Sequence, residues 1–475
     1  MSTVKRVARN TSIVMGGNVF FRLISFFVTI YLARYLGVEV WGKYNFAFAY
    51  LALFSIITDL GLQTILVREM SRGELNIPKL IGNSLIIRSI LTFSAVGLSI
   101  LTISLLPYPV DTTTYVYIAA FTVLFISFSD FYRTIFEVNL RMEYNMIAKI
   151  TNRVLSAALI FYIIFIIEGT VTQILLVLVL SEGVKTLINY YFSRGFVKPD
   201  YEIDFGLWRY LLRECWPLAL SSVIWIIYFR IDVVMLSALV GDAPVGLYSA
   251  SYKLYEPLSL IPTALVTSLF PIMSMSFKDS KDKLIRIYRL SFKYLLIITI
   301  PIAIGTTLLS NKIILLVYGI EFIGSALTLQ ILIWTFVFNS LSYTLANLLI
   351  SIDKQKLTAL SLTICTIVNI ILNLILIPSF SHNGAAITTV ITEISSFMIS
   401  FYFVSKHIHV LPVHRIAAKP VICGLVMGIL IYFFNDINLF LIVPMAGLIY
   451  LAALLALKTL TEEDWEMIKK VLPKK

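Results

Sequence analysis

The chain has 475 residues, 59% of them hydrophobic. An ordinary soluble domain is only about half apolar, so the composition excludes a soluble globular protein. The formal net charge of +11 would suit a nucleic-acid partner, but the positions of the basic residues explain this charge as the asymmetry of a membrane protein. We therefore expect this chain to contact membrane lipid and no nucleic acid.

Fourteen apolar runs of about 18–28 residues follow one another along the chain, and a membrane-spanning helix needs about 20. In order, they are residues 12–35, 44–66, 82–106, 115–139, 147–167, 171–193, 214–239, 246–273, 290–310, 324–350, 357–378, 384–405, 418–434 and 438–457. The sequence thus predicts an all-α integral membrane protein with about 14 transmembrane helices. The first run contains Arg22 and lacks a small-residue cleavage site, which indicates an uncleaved first helix.

Basic residues fall in every second gap between these runs, and this sidedness predicts the topology. One side carries Lys5, Arg6, Arg9, Arg68, Arg72, Lys79, Arg141, Lys149, Arg153, Arg194, Lys198, Arg209, Arg213, the basic residues of 278–293, Lys354, Lys356, Lys406, Arg415, Lys419 and the C-terminal lysines, whereas the other carries Arg34, Lys43 and Lys312. Basic residues of short loops stay in the cytoplasm. We therefore expect both termini to be cytoplasmic and the protein to lie in the cell (plasma) membrane.

An internal repeat relates two sets of six runs on either side of the connection at 195–213. The segment LARYLGVEVWGKYNFAFAY (32–50) aligns without gaps with LSALVGDAPVGLYSASYKL (236–254), so that Gly37 meets Gly241 and Gly42 meets Gly246. Each half has an even number of runs, which predicts a pseudo-two-fold axis along the membrane normal and a binding site between the halves. The expected domains are an N-lobe at 1–194, a linker at 195–213, a C-lobe at 214–405, and helices 13 and 14 with a cytoplasmic tail at 406–475.

Cysteine and histidine positions predict no metal site, disulfide or cofactor. Cys215, Cys365 and Cys423 lie in separate runs, and the chain has no CxxC motif. His407 and His409 are close together in sequence but have no carboxylate or cysteine nearby, which a zinc site would need.

Apart from the cations assigned to the two sides, six fall inside the predicted spans: Arg22, Arg88, Arg133, Lys185, Arg230 and Lys253. Three of them have an acid three residues away on the same helix face, and the expected pairs are Asp130 with Arg133, Glu182 with Lys185, and Lys253 with Glu256. The other three have no such neighbour. An unpaired Arg near the bilayer centre costs about 3 kcal/mol or more, so Arg22, Arg88 and Arg230 need acidic partners from other helices, water or an anionic ligand. Arg88 is also near enough to the cytoplasmic end to reach the interface.

Polar and aromatic side chains form stripes at helical spacing in the first, second, seventh and eighth runs. Interhelical hydrogen bonds would explain Ser and Thr in such stripes, whereas Arg, Asp and a Tyr ladder together favour a water-filled cavity. A guanidinium grips phosphate oxygens bidentately, and Tyr and Trp faces suit sugar rings. The pattern therefore predicts a site for a phosphorylated saccharide. The candidate substrate-binding residues are Asn18, Arg22, Ser25, Thr29, Asp59, Arg88, Trp225, Tyr228, Arg230, Asp232, Tyr252, Lys253 and Tyr255.

The stretch NTSIVMGGNVFFRLISFFVTIYLARYLGVEVWGKYNFAFAYLALFSIITDLGL (10–62) resembles the amino-terminal signature of polysaccharide-biosynthesis flippases of the O-antigen type. These belong to the multidrug/oligosaccharidyl-lipid/polysaccharide (MOP) exporter superfamily. A second stretch, IVNIILNLILIPSFSHNGAAITTVITE (367–393), resembles the family's eleventh-to-twelfth helix passage. The resemblance implies two lobes around a central cavity, alternating access, a polyprenyl-(pyro)phosphate-linked oligosaccharide as substrate, and a place for Arg22 in the cavity.

Two other classes of protein are also compatible with the sequence. A cation-coupled multidrug exporter has the same architecture but needs a carboxylate to attract cations, often in the first helix, where this chain has Arg22. An integral-membrane glycosyltransferase or polymerase needs carboxylates and sizeable external loops, and the predicted loops are short. We expect a transporter and not an enzyme. The chain has no P-loop motif, so ATP hydrolysis is not expected to drive it. It would be driven by an ion gradient acting on Asp59, Asp232 or Glu393 or by consumption of the substrate outside, with glycosyltransferases or a polymerase of the same pathway as partners.

Overall fold

The computed structural model describes residues 3–459 and, within them, the side chains of residues 21, 24–277 and 279–459. This range contains α-helices and short 3-10 and π segments and no strand. The helices are α1 (Thr3–Asp59), α2 (Leu62–Arg72), α3 (Ile77–Leu105), α4 (Val110–Val138), α5 (Met142–Tyr162), α6 (Val171–Ser193), α7 (Phe205–Val240), α8 (Asp242–Tyr255), α9 (Leu260–Asp279), α10 (Lys281–Val317), α11 (Ser325–Ser351), α12 (Gln355–His407), α13 (Val413–Phe433) and α14 (Leu439–Ala456). The all-α class predicted from the sequence is confirmed.

These helices form, over the described range, 12 stretches that are long and apolar enough to cross a membrane. The number is smaller than the fourteen predicted because α1 and α12 each contain two predicted runs. With 57 and 53 residues, straight helices would extend about 85 and 80 Å, far beyond the roughly 30 Å hydrocarbon core. Each is interrupted by one non-helical residue, Gly37 (φ 70°, ψ 173°) in α1 and Ser381 (φ 53°, ψ −136°) in α12.

The two limbs of α12 run back along each other. The hydroxyl oxygens of Ser361 and Ser400 lie 3.4 Å apart although 39 residues separate them, which a continuous helix would not allow. At the turn, a Cβ on Gly384 would collide with the carbonyl group of Leu376. Glycine at this position therefore lets the limbs approach closely beside Ser381.

The chain divides into two compact units, Met1–Gly246 and Leu247–Lys475. In the first unit, one apolar cluster joins α2, α3, α4 and α7; it includes Leu62, Ile65, Ile87, Phe131 and Cys215. Helix α7 packs against α1, α2 and α3, so the predicted linker at 195–213 lies inside this unit. The predicted lobe boundaries stay a prediction.

The predicted linker is attached to the first turns of α3 by its backbone. The amide N–H of Asp200 donates to the carbonyl oxygen of Pro78 at 2.9 Å, and Asn83 donates to the carbonyl oxygen of Glu202 at 2.8 Å. A Cβ on Gly82 would collide with the carbonyl group of Asp200. Residues 205–213 of the predicted linker belong to α7, which begins after Asp204. The carboxylate of Asp204 caps this helix by accepting from the N–H of Leu207 at 3.0 Å.

The second unit has its own core between α10, α11 and α12, with Tyr288, Phe292, Phe336 and Leu345 almost completely buried. Helices α13 and α14 pack on each other and on α10. Their shared cluster includes Cys423, Ile431, Ile442 and Tyr450, and Tyr450 also donates from its hydroxyl to the carbonyl oxygen of Ile297 at 2.8 Å. The last two predicted helices are therefore attached to the second unit through α10.

Candidate functional site

The polar stripe of the first helix meets α5. Two of its predicted members, Asn18 and Arg22, have side chains outside the described residues. Ser25 donates to the carbonyl oxygen of Phe21 at 2.6 Å and accepts a hydrogen bond from a terminal guanidinium nitrogen of Arg153. Thr29, one turn further along, is half-buried. The stripe therefore faces a cation that the sequence had assigned to the cytoplasmic side.

Two cations of α5 lie against one aromatic ring of α1. The guanidinium carbon of Arg153 is 4.6 Å from the centre of the Phe21 ring, and the ammonium nitrogen of Lys149 is 5.0 Å from it. Arg153 also interacts electrostatically with Glu182 of α6. The same carboxylate binds Lys185 at 2.7 Å, as predicted from their spacing of three residues. These side chains form a cluster in the first unit, which we call the α5 cation cluster: Phe21, Ser25, Lys149, Arg153, Glu182 and Lys185.

Asp59 and Arg88, both candidate binding residues, pair with each other across helices. The guanidinium of Arg88 donates to the Asp59 carboxylate and to the hydroxyl of Ser127 at 2.9 Å. That hydroxyl lies 2.7 Å from the hydroxyl of Thr92. The Asp59 carboxylate also accepts from the backbone N–H groups of Gly61 and Gln63, each at 3.1 Å, and so caps the start of α2. Arg88, only 2% exposed, is thus part of a buried network that joins α1 to α4.

The predicted stripe of α7 has a mixed environment. Trp225 is exposed and its ring lies 4.8 Å from that of Phe229, while Tyr228 packs edge-on against the same ring at 5.1 Å. Asp232 is 6% exposed and is therefore buried. Arg230 is half-buried, and among the described residues it has no ion pair.

The tyrosine ladder of α8 is present in the second unit. Tyr248 and Tyr252 have ring centres 6.0 Å apart, and Tyr252 packs edge-on against Tyr255 at 5.6 Å. Lys253 pairs with Glu256 at 3.2 Å, again as predicted from the spacing of three residues. The third predicted pair is looser, because Arg133 lies 3.8 Å from Asp130, beyond hydrogen-bond distance.

Glu393 is a buried carboxylate of α12, with 4% of its surface exposed. It accepts a hydrogen bond from the side-chain amide of Asn339 at 3.2 Å. It also interacts electrostatically with Tyr255 and with Cys365. The last tyrosine of the α8 ladder, Tyr255, is therefore near enough to interact electrostatically with the carboxylate that was predicted to take part in ion coupling.

Two glycines that the predicted repeat aligns, Gly37 and Gly241, have similar backbone conformations. Gly37 has φ 70° and ψ 173°, and Gly241 has φ 101° and ψ −171°. Both conformations lie in the region that glycine adopts easily and other residues rarely do. Each glycine interrupts the helical path at the same place in its half of the repeat.

The second pair of repeat glycines makes a reciprocal contact inside the first unit. A Cβ on Gly42 would collide with the carbonyl oxygen of Asp242, and a Cβ on Gly246 would collide with that of Val38. Val38 and Asp242 occupy the same position in the aligned repeat. The contact is therefore two-fold symmetric, and only glycine permits it on both sides.

The candidate residues thus fall into three described groups. Ser25 belongs to the α5 cation cluster and Thr29 lies one helical turn from it, Asp59 pairs with Arg88, and Tyr252 and Tyr255 lie near Glu393. The groups belong to different parts of two compact units, and their combination into a single site stays a prediction. Sequence reasoning missed Arg153. The spacing of Lys149 and Arg153, four residues apart within the run 147–167, was the signal available for it.

An all-helical chain with many membrane-length stretches and charged networks at membrane depth is a polytopic membrane protein of the transporter type. The chain belongs to the polysaccharide biosynthesis protein family, whose model matches residues 7–277. A second family model, MatE, matches residues 217–375. The resemblance drawn from residues 10–62 and 367–393 is thereby confirmed.

Similar proteins agree with this family. The chain is 22% identical over 489 residues to a probable low-salt glycan biosynthesis flippase, Agl15, of Haloferax volcanii, with 98% of this chain and 99% of the relative covered. Its fold is similar to that of the lipid II flippase MurJ in an inward closed conformation, with a TM-score of 0.78, 16% identity and coverage of 92% and 96% of the two chains. It is also similar to an inward-facing multidrug resistance MATE family transporter of the MOP superfamily, with a TM-score of 0.69, 15% identity and coverage of 84% and 95%.

Proposed function

We propose that this protein is a flippase that moves a polyprenyl-(pyro)phosphate-linked oligosaccharide from the inner to the outer leaflet, for the biosynthesis of a cell-surface polysaccharide or glycan. The observation that carries this proposal is the similarity to a glycan biosynthesis flippase over 98% of the chain, in a chain that the polysaccharide biosynthesis model matches over more than half its length. The fold similarity to a lipid II flippase agrees with it.

The physical task matches the distribution of polar groups. The prenyl tail of such a substrate dissolves in lipid, whereas its charged and hydroxyl-rich head does not. A polar path through helices rich in Arg, Asp and Tyr lowers the cost of moving the head, while the tail stays in the bilayer. No covalent bond changes, so the function requires no nucleophile.

The residues have the following proposed roles. Arg22, with Asn18, Ser25 and Thr29 on the same stripe, binds the phosphate group, because a guanidinium fork matches phosphate oxygens. The aromatic side chains Trp225, Tyr228, Tyr252 and Tyr255 contact sugar rings, and the remaining charged candidates are Asp59, Arg88, Arg230, Asp232 and Lys253. Alternating access, in which the two halves of the repeat change their tilt, exposes the head first to one side and then to the other.

Among the proposed ion-coupling residues, Glu393 is the strongest. Asp59 already forms an ion pair with Arg88, so its carboxylate already has a cationic partner in the protein. Glu393 is almost fully buried and accepts from a neutral amide. A buried carboxylate gains most from binding a proton or a cation. Asp232, also buried, remains the alternative in the first unit.

A cation-coupled multidrug exporter is the second candidate, favoured by the MatE match at 217–375 and by the similarity to a MATE transporter. Such a protein attracts organic cations. The α5 cation cluster beside the first-helix stripe favours an anionic substrate instead, because like charges repel. The flippase is therefore the better-supported function.

The test is transport by the purified protein in vesicles. The substrate is a polyprenyl diphosphate carrying a short saccharide with a fluorescent nitrobenzoxadiazole group, and dithionite outside the vesicles bleaches only the outward-facing label. Vesicles with the protein should lose the inner-leaflet fluorescence, whereas empty vesicles and vesicles with labelled phosphatidylcholine should keep it. Ethidium accumulation driven by a proton or sodium gradient, without bleaching of the labelled saccharide, would instead establish the exporter.

Arg22 provides the sharpest test of the proposed roles. Arg22→Ala should abolish flipping while leaving the protein in the membrane at a near-normal level, and Arg22→Lys should retain part of the activity because a point charge replaces a bidentate fork. Abundance in the membrane and flipping are measured on the same variant. A loss of abundance that exceeds the loss of specific activity would indicate a structural ion pair instead, and an abundant variant with normal flipping would contradict both roles.

The cellular setting follows from the same proposal. We place the protein in the cell (plasma) membrane with cytoplasmic termini, on the charge asymmetry of its loops. Its partners are the glycosyltransferases that build the lipid-linked glycan on the inner side and the polymerase or transferase that consumes it outside.

A further inference from the structure

In the first unit, several cations on the side predicted to be cytoplasmic are neutralised within the protein. The pairs are Arg68 with Glu69 and Glu214, Arg72 with Glu69, Lys79 with Asp204, and Arg141 with Glu143, at nitrogen–oxygen distances of 2.6 to 3.3 Å. An acid this close offsets most of the attraction that such a cation would have for another anion.

Three exposed cations on the same predicted side of the second unit differ from these. They are Arg289 of α10, Lys406 of α12 and Arg415 of α13, and we call them the basic belt. None of the three forms an ion pair with a side chain that the structure describes. The positive charge of the belt is therefore available to a molecule outside the protein.

The packing of α13 on α10 fixes the level of two belt residues. A Cβ on Gly424 would contact Ile300 and Ile304, and one turn further α13 contacts the next turn of α10, so the two helices run in parallel. Counted from this contact, Arg415 lies about 14 Å and Arg289 about 20 Å towards the predicted cytoplasmic side. The two guanidinium groups thus belong to levels only about one helical turn apart.

The connection between α12 and α13 holds the other pair of belt residues, Lys406 and Arg415, near each other. It has only five residues, 408–412, and so short a segment spans at most about 22 Å even when extended. Ile408 and Leu411 are buried in the core of the second unit. The two cations are therefore presented by a segment that is anchored at two points.

Exposed apolar side chains lead up to the belt along α12 and α13. On α12, Met398, Tyr402 and Lys406 follow at steps of four and are all exposed. On α13, exposed Ile422 lies two turns from Arg415 on the same face. An apolar residue, then a tyrosine, then a cation is the order in which a membrane helix meets hydrocarbon, interface and headgroups. The belt therefore lies at the level of the lipid headgroups.

We propose that the basic belt is a binding surface for anionic phospholipids of the leaflet on the predicted cytoplasmic side, with phosphatidylglycerol as the representative ligand. The acyl chains lie along the exposed apolar faces of α12 and α13, and the headgroup phosphate accepts hydrogen bonds from Lys406 and Arg415. Arg289 adds positive charge at nearly the same level. The bound lipid differs from the transported substrate, so this surface does not depend on the proposed function.

The experiment is native mass spectrometry of the purified full-length protein, titrated with phosphatidylglycerol or with phosphatidylcholine that has the same acyl chains. The test variants are Lys406→Gln, Arg415→Gln, the double variant and Arg415→Lys. The matched control is Arg72→Gln, because Arg72 is exposed on the same predicted side but pairs with Glu69 at 3.3 Å. Inorganic phosphate is added as a competitor, and a chain that ends at residue 459 is titrated in parallel.

The wild type should bind phosphatidylglycerol more tightly than phosphatidylcholine. Lys406→Gln and Arg415→Gln should each weaken phosphatidylglycerol binding about fivefold, the effect of one cation at an anionic leaflet, and the double variant about 25-fold. Arg415→Lys keeps the charge and should bind like the wild type, as should Arg72→Gln. Inorganic phosphate should not displace the lipid, because the acyl chains contribute to its affinity. Thermal unfolding of each variant checks folding, and the two single variants test the surface separately if the double variant is unstable.

Equal affinity of the wild type for the two lipids, equal phosphatidylglycerol binding by the wild type and the double variant, or the same loss in Arg72→Gln would overturn the inference. Displacement by inorganic phosphate would show a site for free anions instead. Residues 460–475 include four acids, Glu462, Glu463, Asp464 and Glu466. Phosphatidylglycerol binding that appears only in the chain ending at residue 459 would therefore show that this segment, and not lipid, occupies the belt.

Discussion

The ion pair of Asp59 and Arg88 should respond unequally to neutralisation of its two members. Arg88 is 2% exposed, whereas the side chain of Asp59 is 34% exposed. Arg88→Met leaves a carboxylate that is partly exposed and still accepts from the backbone N–H groups of Gly61 and Gln63. Asp59→Asn leaves a buried guanidinium with the hydroxyl of Ser127. The second change should therefore destabilise the protein more than the first.

The magnitude follows from the cost of an uncompensated charge. Removal of one partner from a buried ion pair costs about 3–5 kcal/mol. We expect the cost of Asp59→Asn to lie in this range, and Arg88→Met to cost about 2–3 kcal/mol because the remaining carboxylate is partly exposed and hydrogen-bonded. The double variant leaves no unpaired charge, so its cost should be below the sum of the single variants by about 1–3 kcal/mol.

Buried thiols provide the assay. All three cysteines are buried and free, so a fluorogenic maleimide reacts with them only as the protein unfolds. With Cys365 and Cys423 replaced by alanine, Cys215 alone reports on the apolar cluster of the first unit that contains Leu62 and Ile65. Equilibrium unfolding in detergent is then followed for the two single variants and the double variant.

Lys79→Met is the matched control, because Lys79 forms an ion pair with Asp204 at 3.2 Å while 28% of its side chain is exposed. A surface pair of this kind contributes about 0–1 kcal/mol. Additive costs of Asp59→Asn and Arg88→Met, or a larger cost for Arg88→Met, would refute the assignment of a charge-compensating network. A stable double variant that still flips substrate would further remove both residues from the proposed binding site.

Three other predictions concern close packing, pH and topology. Gly246→Ala should lower both stability and transport, because the added Cβ would collide with the backbone carbonyl of Val38. Gly97→Ala should change neither, because there is open space around Gly97. Normal unfolding and flipping of the Gly246 variant would contradict the reciprocal contact. The pKa of Asp204 is lowered by the backbone N–H of Leu207 and by Lys79. The stability that Asp204 contributes is therefore present above the unfolded pKa of about 3.9 and is lost as pH falls through the folded pKa. The difference in unfolding free energy between wild type and Asp204→Asn at neutral pH should disappear in acid, and a constant difference would be inconsistent with this linkage. A cysteine at exposed Ser379 should react with an impermeant thiol reagent in intact cells and one at exposed Lys354 should not, whereas equal labelling would show that the predicted topology is wrong.

Helix geometry alone predicted the short-range part of this structure. Residues three apart on a helix face each other, which is why the pairs of Glu182 with Lys185 and Lys253 with Glu256 were foreseeable before any tertiary contact was known. Their nitrogen–oxygen distances are 2.7 Å and 3.2 Å. Length and apolar character likewise identified the helical runs, because the bilayer fixes how many residues a crossing needs.

Contacts between helices were beyond such reasoning. Asp59 and Arg88 are 29 residues apart and pair because α1 and α3 pack side by side. Arg153 was assigned to the cytoplasmic side by the charge asymmetry, and its contact with Phe21 follows from the packing of α5 against α1. In both cases the charge can be read from the sequence, whereas the partner depends on which helices become neighbours.

Each unit holds charged side chains in its membrane-length helices. The first contains the α5 cation cluster and the network of Arg88, while the second contains the buried carboxylate Glu393 at the end of a tyrosine ladder. A transporter that binds an anionic head and couples to a cation needs both kinds of charge, but they would neutralise each other if they paired directly. In the first unit the cations of this cluster contact the Phe21 ring, and in the second unit Glu393 accepts a hydrogen bond from the neutral amide of Asn339. The packing partners of these charges, more than their number, are what permit the proposed function.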